Sequence, residues 1–215
     1  MNKKKSLSNI RREYRFKKLS EKTIHKNPFN QFERWFKQVL KMGLIEPGAM
    51  FLATSDKNAN PSVRTVLLKG ISKEGIIFFT NYKSRKGQEI SQNSSAAILF
   101  YWAEQERQVR VKGKIKKISR TESEKYFDSR PVESRIAAWA SEQSKRISNR
   151  KYLDNRFAEF KKKFSDTKIP TPPSWGGYIL IPTYFEFWQG RENRLHDRIC
   201  YKKNKASWKV FRLAP

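Results

Sequence analysis

Residues 107–118 alternate along their whole length. Val109, Val111, Gly113 and Ile115 fall on one side, and Arg110, Lys112 and Lys114 fall on the other. A period of two marks a strand with one buried and one wet face. Sheets built from such strands are antiparallel, because parallel sheets are covered on both faces. The preceding segments repeat the theme in short units. Residues 50–54, 62–69, 76–80 and 96–102 read as strands, with polar turns at 56–60 and 72–75. A short helix at 84–92, capped by Ser84, interrupts them. A meander of short strands like this closes into a small antiparallel barrel.

Helices flank the meander. Asn27 is an N-cap and Pro28 occupies the first helical position. Phe29, Phe32, Trp35, Phe36, Val39 and Leu40 then recur at three- and four-residue steps, which predicts a core-facing helix to about Met42, stopped by Gly43. Ser119 and Glu122 form a capping box for a helix to about Ser129. Pro131 opens another, to about Ala140. Ser148 is expected to cap a third, with Tyr152, Phe157, Phe160 and Phe164 as its apolar stripe. After a proline linker at 170–173, strands are predicted at 175–181, 184–188, 199–202 and 207–213. The fold class is therefore α+β. Residues 1–26 are polar and basic and read as a mobile segment; residues 27–215 read as a single domain.

Composition narrows the functional classes. Apolar residues make up only 37% of the chain, but aromatics reach 13%, enough to build a core with few aliphatics. One cysteine, Cys200, excludes an internal disulfide and any cysteine-rich metal site and fits a reducing, cytoplasmic setting. No apolar run approaches a membrane span. The 1–12 stretch is basic but lacks the apolar core of a secretory signal. The net charge of +27 raises the alternative of a basic nucleic-acid-binding barrel. The lysines are spread along the chain rather than gathered in one arm, which reads as a charged surface that draws anions from a distance.

Three clusters carry chemistry. In the first, Arg64 and Lys69 bracket Thr65, Val66, Leu67 and Leu68 on a strand; Phe79 and Thr80 end the next, and Arg85 and Lys86 open the helix behind Ser84. Cations at a helix N-terminus suit a phosphate group. In the second, Tyr126, Arg130 and Ser134 are spaced four apart, with Pro131 placed to bend the helix into a concave anion site. The third runs from Trp188 to Arg198 and holds Arg191, Arg194, His196 and Asp197: forked donors, a histidine that titrates near neutrality and an aromatic plate. No Gly-x-Gly-x-x-Gly, phosphate-binding P-loop or Gly-x-Ser-x-Gly elbow is present, and two distant histidines with one cysteine make no zinc site.

Gly190, Arg194, Leu195, His196, Asp197 and Arg198 resemble the C-terminal signature of the pyridoxine/pyridoxamine 5′-phosphate oxidases, and the resemblance extends over about 27–215 and touches Arg11 to Tyr14. It implies a split β-barrel homodimer that binds FMN between its subunits. It also implies oxidation of pyridoxamine or pyridoxine 5′-phosphate by O2, with release of hydrogen peroxide. On this reading FMN is held by Arg64 to Lys69 (with backbone amides of Val66 to Leu68 at the ring edge), Phe79, Thr80, Arg85, Lys86 and Gln108. Gln143, Ser144, Trp188 and Arg198 reach it from the partner chain. Lys69, Tyr126, Arg130 and Ser134 anchor the substrate phosphate, Arg194 and His196 face the pyridine ring as the catalytic pair, and Arg11 and Tyr14 close over the site. No metal is implied. A split-barrel flavin carrier or reductase of other specificity is the alternative within the same architecture.

Overall fold

The structure is a computed structural model, and it describes residues 13–15 and 17–215. Nine strands form one antiparallel-paired network: β1 (Ala49–Ser55), β2 (Pro61–Leu67), β3 (Gly70–Ile71), β4 (Ile76–Asn81), β5 (Ser95–Trp102), β6 (Arg107–Lys117), β7 (Trp175–Gln189), β8 (Asp197–Asn204) and β9 (Ser207–Leu213). They hydrogen-bond in the order β2-β1-β5-β6-β7-β4-β3, with β8 on β7 and β9 on β8. Among the described residues there are five α-helices: α1 (Pro28–Leu40), α2 (Arg85–Gln92), α3 (Arg120–Asp128), α4 (Val132–Ala140) and α5 (Arg150–Lys163).

The chain divides into two compact units. The first holds residues up to Pro47, Leu99–Val111 and Tyr184–Pro215. Its core forms on α1, where Phe29, Phe32, Trp35 and Val39 are buried as their spacing predicts, while Phe36 is half-buried and Leu40, expected in the core, is exposed. Phe32 packs edge-on to Phe100, and Trp35 edge-on to Phe187, with ring centroids 4.8 and 5.3 Å apart. Asn27 caps the helix by accepting from the Phe29 amide, and Gly43 stops the chain beyond it at φ +64°. From Leu19 onward the segment expected to be mobile is tied down. The buried Leu19 donates its amide to Asp197 Oδ2 at 3.0 Å, and the Tyr201 hydroxyl donates to the His25 carbonyl at 2.7 Å.

The second unit holds Gly48–Ile98 and Lys112–Thr183. Phe127, Ile136, Phe160 and Trp175 are in its buried helical core. The Ser119–Glu122 capping box is formed. Pro131 is the N-cap of α4, so the bend expected there separates α3 from α4. Two boundaries differ from expectation. Asn149, not Ser148, caps α5, accepting from the Tyr152 amide at 2.9 Å. The two strands predicted around Pro182 are one, β7. Its first part pairs with β4 through Leu180 and its last part with β8 from Tyr184. Pro182 falls between those two pairings. Gly113 on β6 is needed for close approach, since a Cβ there would lie 2.1 Å from the Ile181 carbonyl oxygen.

Candidate active site

A cavity of about 260 Å³ opens in the second unit. β2 lines it with Thr65, Val66 and Leu67, β4 with Phe79 and Thr80, and α2 with Lys86; Lys69, Tyr126, Arg130, Gln143 and Trp175 complete it. Three cations line it and no carboxylate does. Phe79 lies 3.9 Å from Tyr126 and 5.4 Å from Trp175, all three rings nearly parallel. Phe79 thus serves as a stacking plate, a role that needs no hydroxyl. The Arg130 guanidinium lies 4.9 Å above the Trp175 ring. Its Nη1 is buried with no hydrogen-bond partner among the described residues. Burial lowers the Arg130 pKa. A buried donor of this kind is costly until an acceptor reaches it.

Lys86 is the other buried cation. Its Nζ lies 3.2 Å from Thr80 Oγ1 and 3.3 Å from Gln143 Oε1. Burial, then the Arg64 charge, lowers its pKa. Gln143, expected from the partner chain, meets Thr80 and Lys86 within its own chain.

Several expected cofactor residues stand elsewhere. Arg64 and Arg85 do not line the cavity; both bind Glu89, at 3.0 and 2.9 Å. Arg64 is held by Glu89 and the Leu52 carbonyl, and Arg85 is one residue before the cavity-lining Lys86. Leu68 is likewise outside, and its amide donates to the Gly48 carbonyl at 2.8 Å. Ser134 is half-buried on α4 and Ser144 is exposed at φ +74°; neither lines the cavity.

Sequence reasoning missed Glu89 and Trp175. Glu89 lies one helical turn after Arg85, a spacing that could have signalled the pair. It is buried and also accepts from Thr54 and Ser62 at 2.5 and 2.6 Å. Burial raises its pKa, but the Ser62, Thr54 and Arg85 hydrogen bonds and the Arg64 charge outweigh that and hold it at about 2. The folded value is below the usual 4.5, so the stabilisation is complete above that pH and drains away as pH falls from 4.5 to about 2. Thermal melts over that window should therefore fall more steeply for the native chain than for Glu89→Gln; parallel curves would contradict this account.

The first unit carries the signature loop. Trp188 on β7 pairs in register with Arg198 on β8, which bonds Glu186 Oε1 at 2.9 Å. The Arg191 amide donates to His196 Nδ1 at 3.1 Å, so a neutral imidazole carries its proton on Nε2 and offers it as a donor. Burial, then the Arg194 charge, lowers the His196 pKa, which favours that neutral form. Asp197 accepts from Arg191 and Arg212 and fixes the base of the loop. Asn193 and Arg194 both have positive φ, 55° and 60°, and Arg194 is exposed. Such conformations are uncommon for side-chain-bearing residues and cluster at functional sites. Tyr14 meets Trp188 and His196 edge-on, with centroids 5.6 and 5.5 Å away. Gln108 is half-buried and accepts from Arg110 at 3.5 Å. Arg11 lies outside the described residues.

A family model described as pyridoxamine 5′-phosphate oxidase matches residues 36–164. The chain belongs to the pyridoxine/pyridoxamine 5′-phosphate oxidase family. A second model, described as the pyridoxine 5′-phosphate oxidase C-terminal dimerisation region, matches residues 175–215. Curated relatives of that name include one from Paraburkholderia phymatum, 52% identical over 211 residues, and one from Cyanothece sp., 49% identical over 210. Each alignment covers 98% of this chain and 99% of the relative. Among solved structures, PhzG from Burkholderia lata in complex with tetrahydrophenazine-1-carboxylic acid superposes with a TM-score of 0.86. It is 30% identical, over 90% of this chain and 95% of that one. A pyridoxamine 5′-phosphate oxidase-related, FMN-binding protein from Nostoc punctiforme gives a TM-score of 0.70 at 18% identity, over 89% and 100% of the two chains. The antiparallel split barrel with flanking helices is thus the fold of this oxidase family. No helix among the described residues is long and apolar enough to cross a membrane, and no group of acids, histidines and cysteine among them could hold a metal.

Proposed function

We propose that this protein oxidises pyridoxamine 5′-phosphate and pyridoxine 5′-phosphate to pyridoxal 5′-phosphate, using FMN as a homodimer and O2 as final acceptor. The observation that carries this reading is the buried Nη1 of Arg130, without a hydrogen-bond partner among the described residues, in a cavity with two further cations and no carboxylate. That donor set fits a dianionic phosphate, and the Phe79–Tyr126–Trp175 stack offers flat apolar surface for an aromatic ring. Buried Lys86, also without a hydrogen-bonded carboxylate, suits the cofactor phosphate or the electron-rich edge of its ring. FMN, when bound, supplies the redox chemistry: it accepts two electrons from the substrate and passes them to O2, giving hydrogen peroxide. With the amine substrate, water enters and ammonia leaves; with the alcohol, neither is needed.

The protein's own part is binding and aim. Lys69, Tyr126 and Arg130 anchor the substrate phosphate, and that anchoring fixes the reacting carbon. Arg194 and His196 act on the pyridine ring, with His196 as a neutral Nε2–H donor. The test has two stages. Purified protein should carry a visible flavin band and release FMN on denaturation. The loaded protein should produce peroxide with pyridoxamine 5′-phosphate and far less with unphosphorylated pyridoxamine. Equal rates on the two would refute the anchor. Flavin-loaded protein inactive on both would be a split-barrel carrier or reductase, and colourless protein after reconstitution would defeat the flavin reading itself.

A further inference from the structure

A second cavity, about 180 Å³, lies wholly in the first unit, between the 17–23 segment, α1 and the start of β6. Lys17, Lys18, Arg34 and Arg107 supply its charge, Thr23 and Gln38 its neutral polar lining, and no carboxylate faces it. Arg107 is only 4% exposed. Its Nε donates to Gln189 at 2.8 Å, and its Nη1 donates to Gln38 and Gln105, both at 2.7 Å. All three acceptors are neutral amides. A guanidinium has five N–H donors, so the two on Nη2 are unused among the described residues. The guanidinium carbon lies over the Trp35 ring, 4.3 Å from its centre. Arg34 donates to the Thr23 carbonyl and to Gln31 Oε1, both at 2.8 Å, again to neutral acceptors. Neither arginine is in an ion pair among the described residues, and residues 1–12 and 16 contain no Asp or Glu that could supply one.

A buried cation without a counter-ion is expensive. Here burial, then the nearby Arg34 charge, pulls the Arg107 pKa down to about 10. Neutral amides fix the orientation of the fork without cancelling its charge. That arrangement is suited to receiving an anion rather than to stabilising the empty fold.

We infer that this cavity is an oxyanion-binding site, separate from the Arg130 cavity, that takes inorganic phosphate or a small phosphate monoester through Arg107 Nη2 and Arg34. Lys18 adds charge at the rim. The bound anion would tie residues 17–23 to α1 and β6, because its ligands come from all three. Its volume of about 180 Å³ admits a phosphate group.

The experiment is a titration of the full-length, flavin-reconstituted protein with inorganic phosphate, followed by thermal melts and by calorimetry. Chloride at matched ionic strength is the control, and glycerol 3-phosphate is the monoester arm. Arg130→Ala weakens the contribution of the other cavity. In that background a saturable stabilisation by phosphate should persist, and Arg34→Gln should weaken the apparent affinity at least tenfold. Arg107→Lys should do the same if it folds; Arg34, which is not deeply buried, keeps the test decisive if it does not. A stronger response to glycerol 3-phosphate than to phosphate would identify esters as the preferred ligand, and the reverse would identify the free ion. A response equal to that of chloride, or one that Arg34→Gln leaves unchanged, would overturn the site.

Discussion

Arg130→Ala should raise the KM for pyridoxamine 5′-phosphate by roughly 10- to 150-fold, the equivalent of about 1.5–3 kcal/mol for a charge-assisted hydrogen bond. The turnover number should change little, because the phosphate is held equally in the ground and transition states. The reason for choosing this residue is geometric. Its Nη1 is buried and has no hydrogen-bond partner among the described residues, and its guanidinium lies over Trp175. Arg130→Lys separates charge from shape: it keeps the cation but loses the planar fork, so its KM should fall between the two. Flavin content should be the same in all three proteins. A KM unaffected by Arg130→Ala would remove this arginine from the substrate site and leave its orphaned donor unexplained.

Lys86→Met should weaken FMN binding by a similar factor, roughly 10- to 150-fold by the same reasoning about charged hydrogen bonds. It should also act in the opposite direction on the cofactor-free protein. Lys86 is 9% exposed, and among the described residues its ammonium hydrogen-bonds only to neutral oxygens. Replacing it with an apolar chain of similar length removes a desolvation cost, so the melting temperature of the apo form should hold or rise while that of the loaded form falls. The sign of the pH dependence agrees. The folded pKa lies below the usual 10.5, so the native apo protein binds fewer protons than the unfolded chain and gains stability as pH rises through that interval. Arg85→Ala should cost less cofactor affinity than Lys86→Met. Arg85 has a side chain 68% exposed and is already paired with Glu89. A flavin affinity more sensitive to Arg85 than to Lys86 would show that Glu89 releases its arginines when the cofactor binds.

The strand alternation at 107–118, the Asn27–Pro28 helix start and the Ser119–Glu122 capping box are local signals, and each produced the element it predicts. They are legible because a period or a cap is fixed by residues within one turn or one strand. The residue types of the proposed substrate anchor were legible too, and Lys69, Tyr126 and Arg130 do share a cavity. What sequence spacing could not decide was which way side chains face once strands pair. Arg64 and Lys69 bracket one short stretch, yet one is turned onto Glu89 and the other lines the cavity. Arg85 and Lys86 are adjacent on a helix, so they point about 100° apart and only one can face inward. Joining two predicted strands into β7 depended on a change of partner at Pro182, which no local pattern records. The amide–imidazole contact that sets the His196 tautomer depends on the backbone course of the loop, with left-handed Asn193 and Arg194. The sequence determined which chemical groups the chain possesses and which elements they stand on. Tertiary packing alone decided which cations were left without a carboxylate, because an ion pair is made or missed by side-chain direction and by long-range pairing rather than by composition.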